Sequence, residues 1–218
     1  MTQFESRRPL LAAVGSAFIP GVGQALTGPP ASGVAVFATA VALLTGCWLI
    51  GQAAGVGAGI FVFLLLVLPW WSLQTYEAWL SAVEQVPVGL TAAARRAWER
   101  AHDLRFLGIL FLITAATDFY IIVANPTYAL TIFCTKPEGV VGILAKAQSP
   151  TLHVLIGYGF LRLRRWSYLL YVAYALFGLV NAGVNFGCFG YGRVRTVFVV
   201  SLLAFTAYVV ARRRRFQS

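Results

Sequence analysis

Charge is scarce in this chain. Only 11% of its 218 residues are Asp, Glu, Lys or Arg, against about a quarter in an ordinary soluble domain. Acids are the scarcest, 7 beside 17 basic residues, and there are two histidines and three cysteines. These shortages exclude several functions. A metal centre needs several nitrogen, sulfur or carboxylate ligands at usable spacing, and His102 and His153 are predicted on opposite sides of a membrane. No His-Glu-x-x-His, paired-acid or nucleophile-elbow pattern is present. The expectation is therefore a non-enzymatic protein with no catalytic residue, no metal and no cofactor.

What the chain has instead is apolar length. Apolar residues make up 59% of it, and several runs of about 19 residues carry no charge, the length a helix needs to cross hydrocarbon. The runs Gly33–Gly51, Gly55–Leu73, Phe106–Ala124, Trp166–Phe186 and Arg195–Ala211 read as spans. A further, short span ends at Leu161 and is predicted to begin at Ser149-Pro150, after a separate surface helix over Pro137–Ala147. The fold class is all-α: a polytopic helical membrane bundle of about six spans with an N-terminal re-entrant or broken hairpin. Trp70, Trp71, Trp79, Trp166, Tyr168 and Tyr171 are expected near span ends, as in aromatic belts.

The net charge of +10 does not point to nucleic acid, because the arginines cluster beside the ends of apolar spans rather than on a groove or sheet that would display them. The expected partners are the lipid bilayer, with anionic headgroups beside the arginines, and other integral membrane proteins.

The stretch "IPGVGQALTG", Ile19–Gly28, decides the topology. Proline removes a backbone donor and breaks a helix, and glycine permits the turn that follows. If Leu10–Thr27 crosses once, the basic residues divide 11 inside and 6 outside. If it re-enters, Arg7, Arg8, Arg95, Arg96, Arg100, Arg105, Arg162, Arg164, Arg165 and Arg212 to Arg215 make 13 inside, and Lys136, Lys146, Arg193 and Arg195 make 4 outside. The second arrangement obeys the positive-inside rule better. It predicts a multi-pass protein of the cell (inner) membrane with both termini cytoplasmic and assigns the turn to Pro20, Gly21, Gly23 and Gln24. The Gln24 side chain is expected to satisfy turn amides that lipid cannot. Arg7-Arg8 and the run after it resemble a leader, but Pro20-Gly21 breaks the run and no Ala-x-Ala-like cleavage site follows.

The stretch "IPGVGQALTGPPASGVAVF" resembles the Pro-Gly-x-Gly-Gln segment of small bacterial multi-span proteins related loosely to the TM2-domain group, and "WWSLQTYEAWLSA" resembles the aromatic, acidic close of that unit. The likeness covers roughly Leu10 to Ala82, with Ala25-Leu26-Thr27 standing where a tyrosine-containing turn is common. It implies architecture and no agreed activity.

The predicted organisation is an N-terminal hairpin and two-span unit over residues 1–83, a cytoplasmic interfacial helix and linker over 84–105, and a four-span unit over 106–218. Thr91 is the expected cap of the interfacial helix, with Trp98 toward lipid. Glu77 and Glu84 are expected to pair with Arg95 or Arg96. Gly51, Gly55 and Gly59 read either as a flexible turn or as a close helix contact.

Asp118 is the most informative polar residue, because a charge at membrane depth costs at least about 2.5 kcal/mol and should face protein or water. One reading is a carboxyl satisfied by Thr114, Tyr120 or a neighbouring helix. The other is a proton or cation site near the outer leaflet, joined by Asn181 and Asn185, which share a helix face. Cys134 and Cys188 are both predicted outside, where an oxidising exterior permits a disulfide, and Cys47 is expected to be a buried free thiol. The leading function is an integral scaffold or accessory subunit of a larger membrane complex; the alternative is a small transporter or channel using the polar cluster. Reporter fusions at Met1 and Ser218 are both expected to give the cytoplasmic signal. An exported N-terminus with a cytoplasmic C-terminus would show that the Pro20-Gly21 segment spans.

Overall fold

The computed structural model describes residues 8–125 and 130–217, with the side chains at 57, 61 and 193–195 left aside. Arg7 and the side chains of Arg193 and Arg195, counted in the charge balance above, lie outside the described residues. The chain is all-α and forms two compact units, residues 1–100 and 101–218. Among the described residues, five helices are long and apolar enough to cross a membrane: Pro30–Ala54, Ala58–Glu84, His102–Ala124, Gly139–Leu161 and Arg165–Phe189. The expected sixth span, Arg195–Ala211, falls on the helix Arg193–Ala211, whose described apolar stretch is Thr196–Ala211.

In the N-terminal unit, α1 (Arg8–Phe18) and α2 (Val22–Thr27) are separated at Pro20-Gly21. At about 1.5 Å per residue neither alone reaches across about 30 Å of hydrocarbon. Gly21 makes the turn with φ +93°, and a side chain there would collide with the carbonyl of Gly33. The pair packs against α3 (Pro30–Ala54) and α5 (Leu68–Glu84). A Cβ on Gly23 would strike the Ala12 carbonyl and lie 2.5 Å from Ser16 Oγ and 2.7 Å from Ala78 Cβ, so α2 enters the unit only because it lacks a side chain there.

Helix α4 (Val56–Val62) runs into α5 through a π turn over Phe63–Val67. Pro69 offers no N–H to the preceding turn, and the amide of Leu68 closes a wider ring onto the carbonyl of Phe63. In the glycine series Gly55 makes the α3–α4 turn with φ +98°, and the close helix contact is present: a Cβ on Gly59 would lie 3.1 Å from the Gly51 Cα. Helix α6 (Leu90–Glu99) starts two residues earlier than expected, with Gly89 at the cap and Thr91 in the first turn. Glu84 pairs with Arg96 as expected, and that hydrogen bond holds the Arg96 pKa above its ordinary value. Glu77 does not join them: it is buried in the unit.

In the C-terminal unit, α7 (His102–Ala124), α8 (Gly139–Leu161), α9 (Arg165–Phe189) and α10 (Arg193–Ala211) surround a core of Leu104, Ile156, Phe160, Tyr171 and Val209. Tyr171 is therefore a core residue, its hydroxyl 3.2 Å from Thr206 Oγ1, rather than part of an aromatic belt. Helices α7 and α8 meet at Gly108 and Gly157, where a Cβ on either would lie 2.8 Å from the other's carbonyl. The surface helix and short span predicted over residues 137–161 are one helix of 23 residues with Pro150 inside it. Proline is tolerated within a spanning helix, and the next residue, Thr151, donates from Oγ1 to the Ala147 carbonyl at 2.8 Å.

Gly23→Ala is expected to destabilise the protein by about 1–3 kcal/mol through overpacking. Gly46→Ala, on α3 with nothing within 4 Å of the added methyl, is expected to be neutral or slightly stabilising. Thermal unfolding in detergent measures both; equal behaviour of the two variants would refute the packing argument.

Candidate functional site

Each unit holds a polar cluster among its helices. The first forms around the break in the N-terminal helix. A helix that stops leaves its last carbonyls without partners, and here α5 supplies them. Gln74 Nε2 donates to the Ser16 carbonyl at 2.8 Å, and Trp71 Nε1 donates to the Ala17 carbonyl at 2.8 Å. At the start of α2, the amide of Gly23 donates to Ser16 Oγ at 2.8 Å. Ser16, not Gln24, thus satisfies the turn amide. Gln24 instead joins the helices: Oε1 accepts from Ser16 Oγ at 2.9 Å, and Nε2 donates to the Gln74 carbonyl at 2.7 Å and to Glu77 Oε2 at 2.8 Å.

Gln74, Glu77 and Ser81 sit at i, i+3 and i+7 on α5, one face of the helix. Glu77 Oε1 accepts from Ser81 Oγ at 2.8 Å and from the Gly89 amide at 3.2 Å. Three donors therefore surround a carboxylate that is 5% exposed, which replaces the arginine expected for it.

The second cluster joins α7, α8 and α9. Ser149 and His153, four residues apart on α8, both face Asp118 of α7. Ser149 Oγ donates to Asp118 Oδ2 at 2.7 Å. His153 Nδ1 lies 3.0 Å from the same oxygen, at ion-pair distance, with its N–H direction off the line of a good hydrogen bond. On the other side of the ring, Nε2 is 2.9 Å from the Tyr174 hydroxyl of α9. The imidazole is buried and packs against Phe111, ring centroids 5.4 Å apart. With Nδ1 beside the carboxylate and Nε2 beside the Tyr174 hydroxyl, carboxyl, imidazole and phenol lie in one row across α7, α8 and α9. The sequence reading missed His153 here because it placed the residue at the opening of a short span. Tracing one helix through Pro150 puts Ser149 and His153 on a shared face.

Asn181 and Asn185 do not join Asp118. They bind the backbone of the Ile132–Thr135 turn: Asn181 Oδ1 accepts from the Phe133 amide and Asn185 Oδ1 from the Cys134 amide, each at 2.8 Å. Phe133 and Cys134 both have positive φ, 45° and 66°, and a turn so tight cannot satisfy these amides by itself. The side-chain amides win these asparagines because they match the turn's backbone groups. Cys134 is bonded to Cys188, Cα atoms 5.9 Å apart. Cys188 lies in the last turn of α9 rather than in the following turn. Cys47 is free and buried in α3. Among the described residues, no three His, Cys, Asp or Glu gather at metal-holding spacing.

No family model, curated protein or solved structure matches this chain.

The bridge closes a separation of 54 residues and is expected to contribute between about 2 and 4 kcal/mol. Alkylation of denatured, unreduced protein, read by mass spectrometry, is expected to label Cys47 alone and to yield a linked Cys134–Cys188 peptide pair. Label on all three cysteines would refute the bridge.

Proposed function

We propose that this chain is a non-enzymatic integral membrane scaffold or accessory subunit, with both termini cytoplasmic and the α1–α2 pair re-entrant. The carrying observation is the use made of polar side chains. Gln24, Gln74 and Glu77 in one unit, and Ser149, His153 and Tyr174 in the other, bond across helices and hold them in register. Large apolar side chains such as Phe37, Trp48, Leu144 and Leu176 are exposed. Units cross-linked inside and apolar outside are suited to packing against other spanning helices, where association rests on van der Waals fit and interhelical hydrogen bonds.

One observation favours a second reading, transport of protons. The Asp118 side chain is 25% exposed and lies beside buried His153, which meets half-buried Tyr174, and intramembrane ionisable chains mark proton relays.

Two measurements test these readings. Extraction of native membranes in mild detergent, followed by native mass spectrometry, is expected to show the chain in a complex of fixed stoichiometry with another integral membrane protein; a chain recovered alone would overturn the scaffold reading. Asp118→Asn keeps an oxygen for Ser149, so folding and complex formation are expected to survive. In reconstituted vesicles carrying a pH-sensitive dye, proton flux present in wild type and lost in folded Asp118→Asn would establish the second reading instead.

A further inference from the structure

The C-terminal segment is fastened across the α8–α9 turn. The Arg165 amide donates to the Gln217 carbonyl and the Gln217 amide to the Leu163 carbonyl, both at 2.7 Å. Phe216 is buried between Phe160 and Tyr168, ring centroids 4.9 and 5.6 Å away. On its near side, Arg212 is buried and bound through Nε and Nη2 to Asp103, each at 2.9 Å, and Asp103 also accepts from the Tyr208 hydroxyl. Between these two anchors Arg213, Arg214 and Arg215 form a single 3₁₀ turn with exposed side chains. The clasp sets them beside Arg162, Arg164 and Arg165, also exposed.

Six guanidinium groups are therefore held at one end of the unit. Among the described residues none of the six lies within ion-pair distance of a carboxylate, since Asp103 is taken by Arg212. Such crowding is unfavourable without a counter-anion. Guanidinium binds phosphate oxygens in pairs through its planar fork. Immediately along the helices, Tyr158, Trp166 and Leu169 are exposed apolar neighbours, and Arg162 lies over the Tyr158 ring at 5.9 Å. Cations beside exposed apolar side chains fit a ligand with phosphate at one end and acyl chain at the other.

We propose that the Arg162–Arg165 turn and the Arg213–Arg215 turn, joined by the Phe216–Gln217 clasp, form a binding site for an anionic phospholipid carrying two phosphates. The two arginine groups take one phosphate each, and the acyl chains run along Tyr158, Trp166 and Leu169. The clasp is what distinguishes this site from a generally basic membrane flank, because it fixes the spacing between the two groups.

The test uses full-length protein in phosphatidylcholine nanodiscs doped with cardiolipin, or with phosphatidylglycerol at matched total charge, and measures retained lipid by native mass spectrometry. Wild type is expected to retain cardiolipin in clear preference. Replacing either triplet by glutamine (R162Q/R164Q/R165Q or R213Q/R214Q/R215Q) is expected to weaken it on the order of a hundredfold, since each arginine near an anionic surface is worth about a factor of five. Phe216→Ser keeps every charge but opens the clasp, and is expected to abolish the preference while leaving charge-dependent binding of phosphatidylglycerol. Equal retention of both lipids by wild type would overturn the proposal, as would an unchanged preference in either arginine triplet. Full displacement of cardiolipin by equimolar pyrophosphate would assign the site to a free anion and overturn the lipid assignment. If Phe216→Ser does not fold, the two surface triplets decide the matter alone.

Discussion

A backbone that breaks between packed helices leaves carbonyls and amides that need partners, and this constraint organises the N-terminal unit. Each unsatisfied amide or carbonyl in hydrocarbon costs several kcal/mol, while a made interhelical hydrogen bond contributes only about 0.6 kcal/mol. The asymmetry explains why so many side chains converge on one short turn. Pro20 ends α1, and the carbonyls of Ser16 and Ala17 are taken by Gln74 and Trp71 of α5. Because those partners stand on α5, that helix is fixed in rotation. Its rotation carries Glu77 inward, and Glu77 in turn reaches the amide of Gly89 at the start of α6. One proline thereby sets the position of four helices.

The C-terminal unit is held differently. Its α7–α8 seam is a contact of bare backbones at Gly108 and Gly157, and such small-residue seams rely on van der Waals contact at close range. The polar chain of Asp118, Ser149, His153 and Tyr174 lies farther along the same pair of helices and extends the linkage to α9. Close packing and polar linkage thus act at different depths along one interface.

Much of the helical architecture was legible because it follows from apolar run length, and the residues that break helices were legible because Pro and Gly act locally. Cys134 and Cys188 were legible as a pair from shared sidedness. The polar clusters were less so, because each depends on helix rotation, which periodicity does not reveal when a span is apolar all round. Glu77 looked like a surface partner for arginine because it lies close to a basic stretch in sequence, yet helical phase turns it inward with Gln74. His153 was misplaced because Pro150 reads as a helix start, whereas in a spanning helix it sits in the interior. Asn181 and Asn185 were correctly placed on one face and assigned the wrong partner, since nothing local announces that a turn 50 residues earlier needs two amide acceptors.

Helix α9 has a property that follows from its two ends. At its start the Arg165 amide is bound to Gln217, and at its finish Cys188 is covalently tied to the Ile132–Thr135 turn, which Asn181 and Asn185 also grip. Helices ordinarily fray from their termini, where hydrogen bonds are fewest. This one is pinned at both, so loosening cannot begin there and a sliding motion along its axis is blocked. Within its unit α9 acts as the fixed post, and whatever local opening the unit permits has to start in the helices around it.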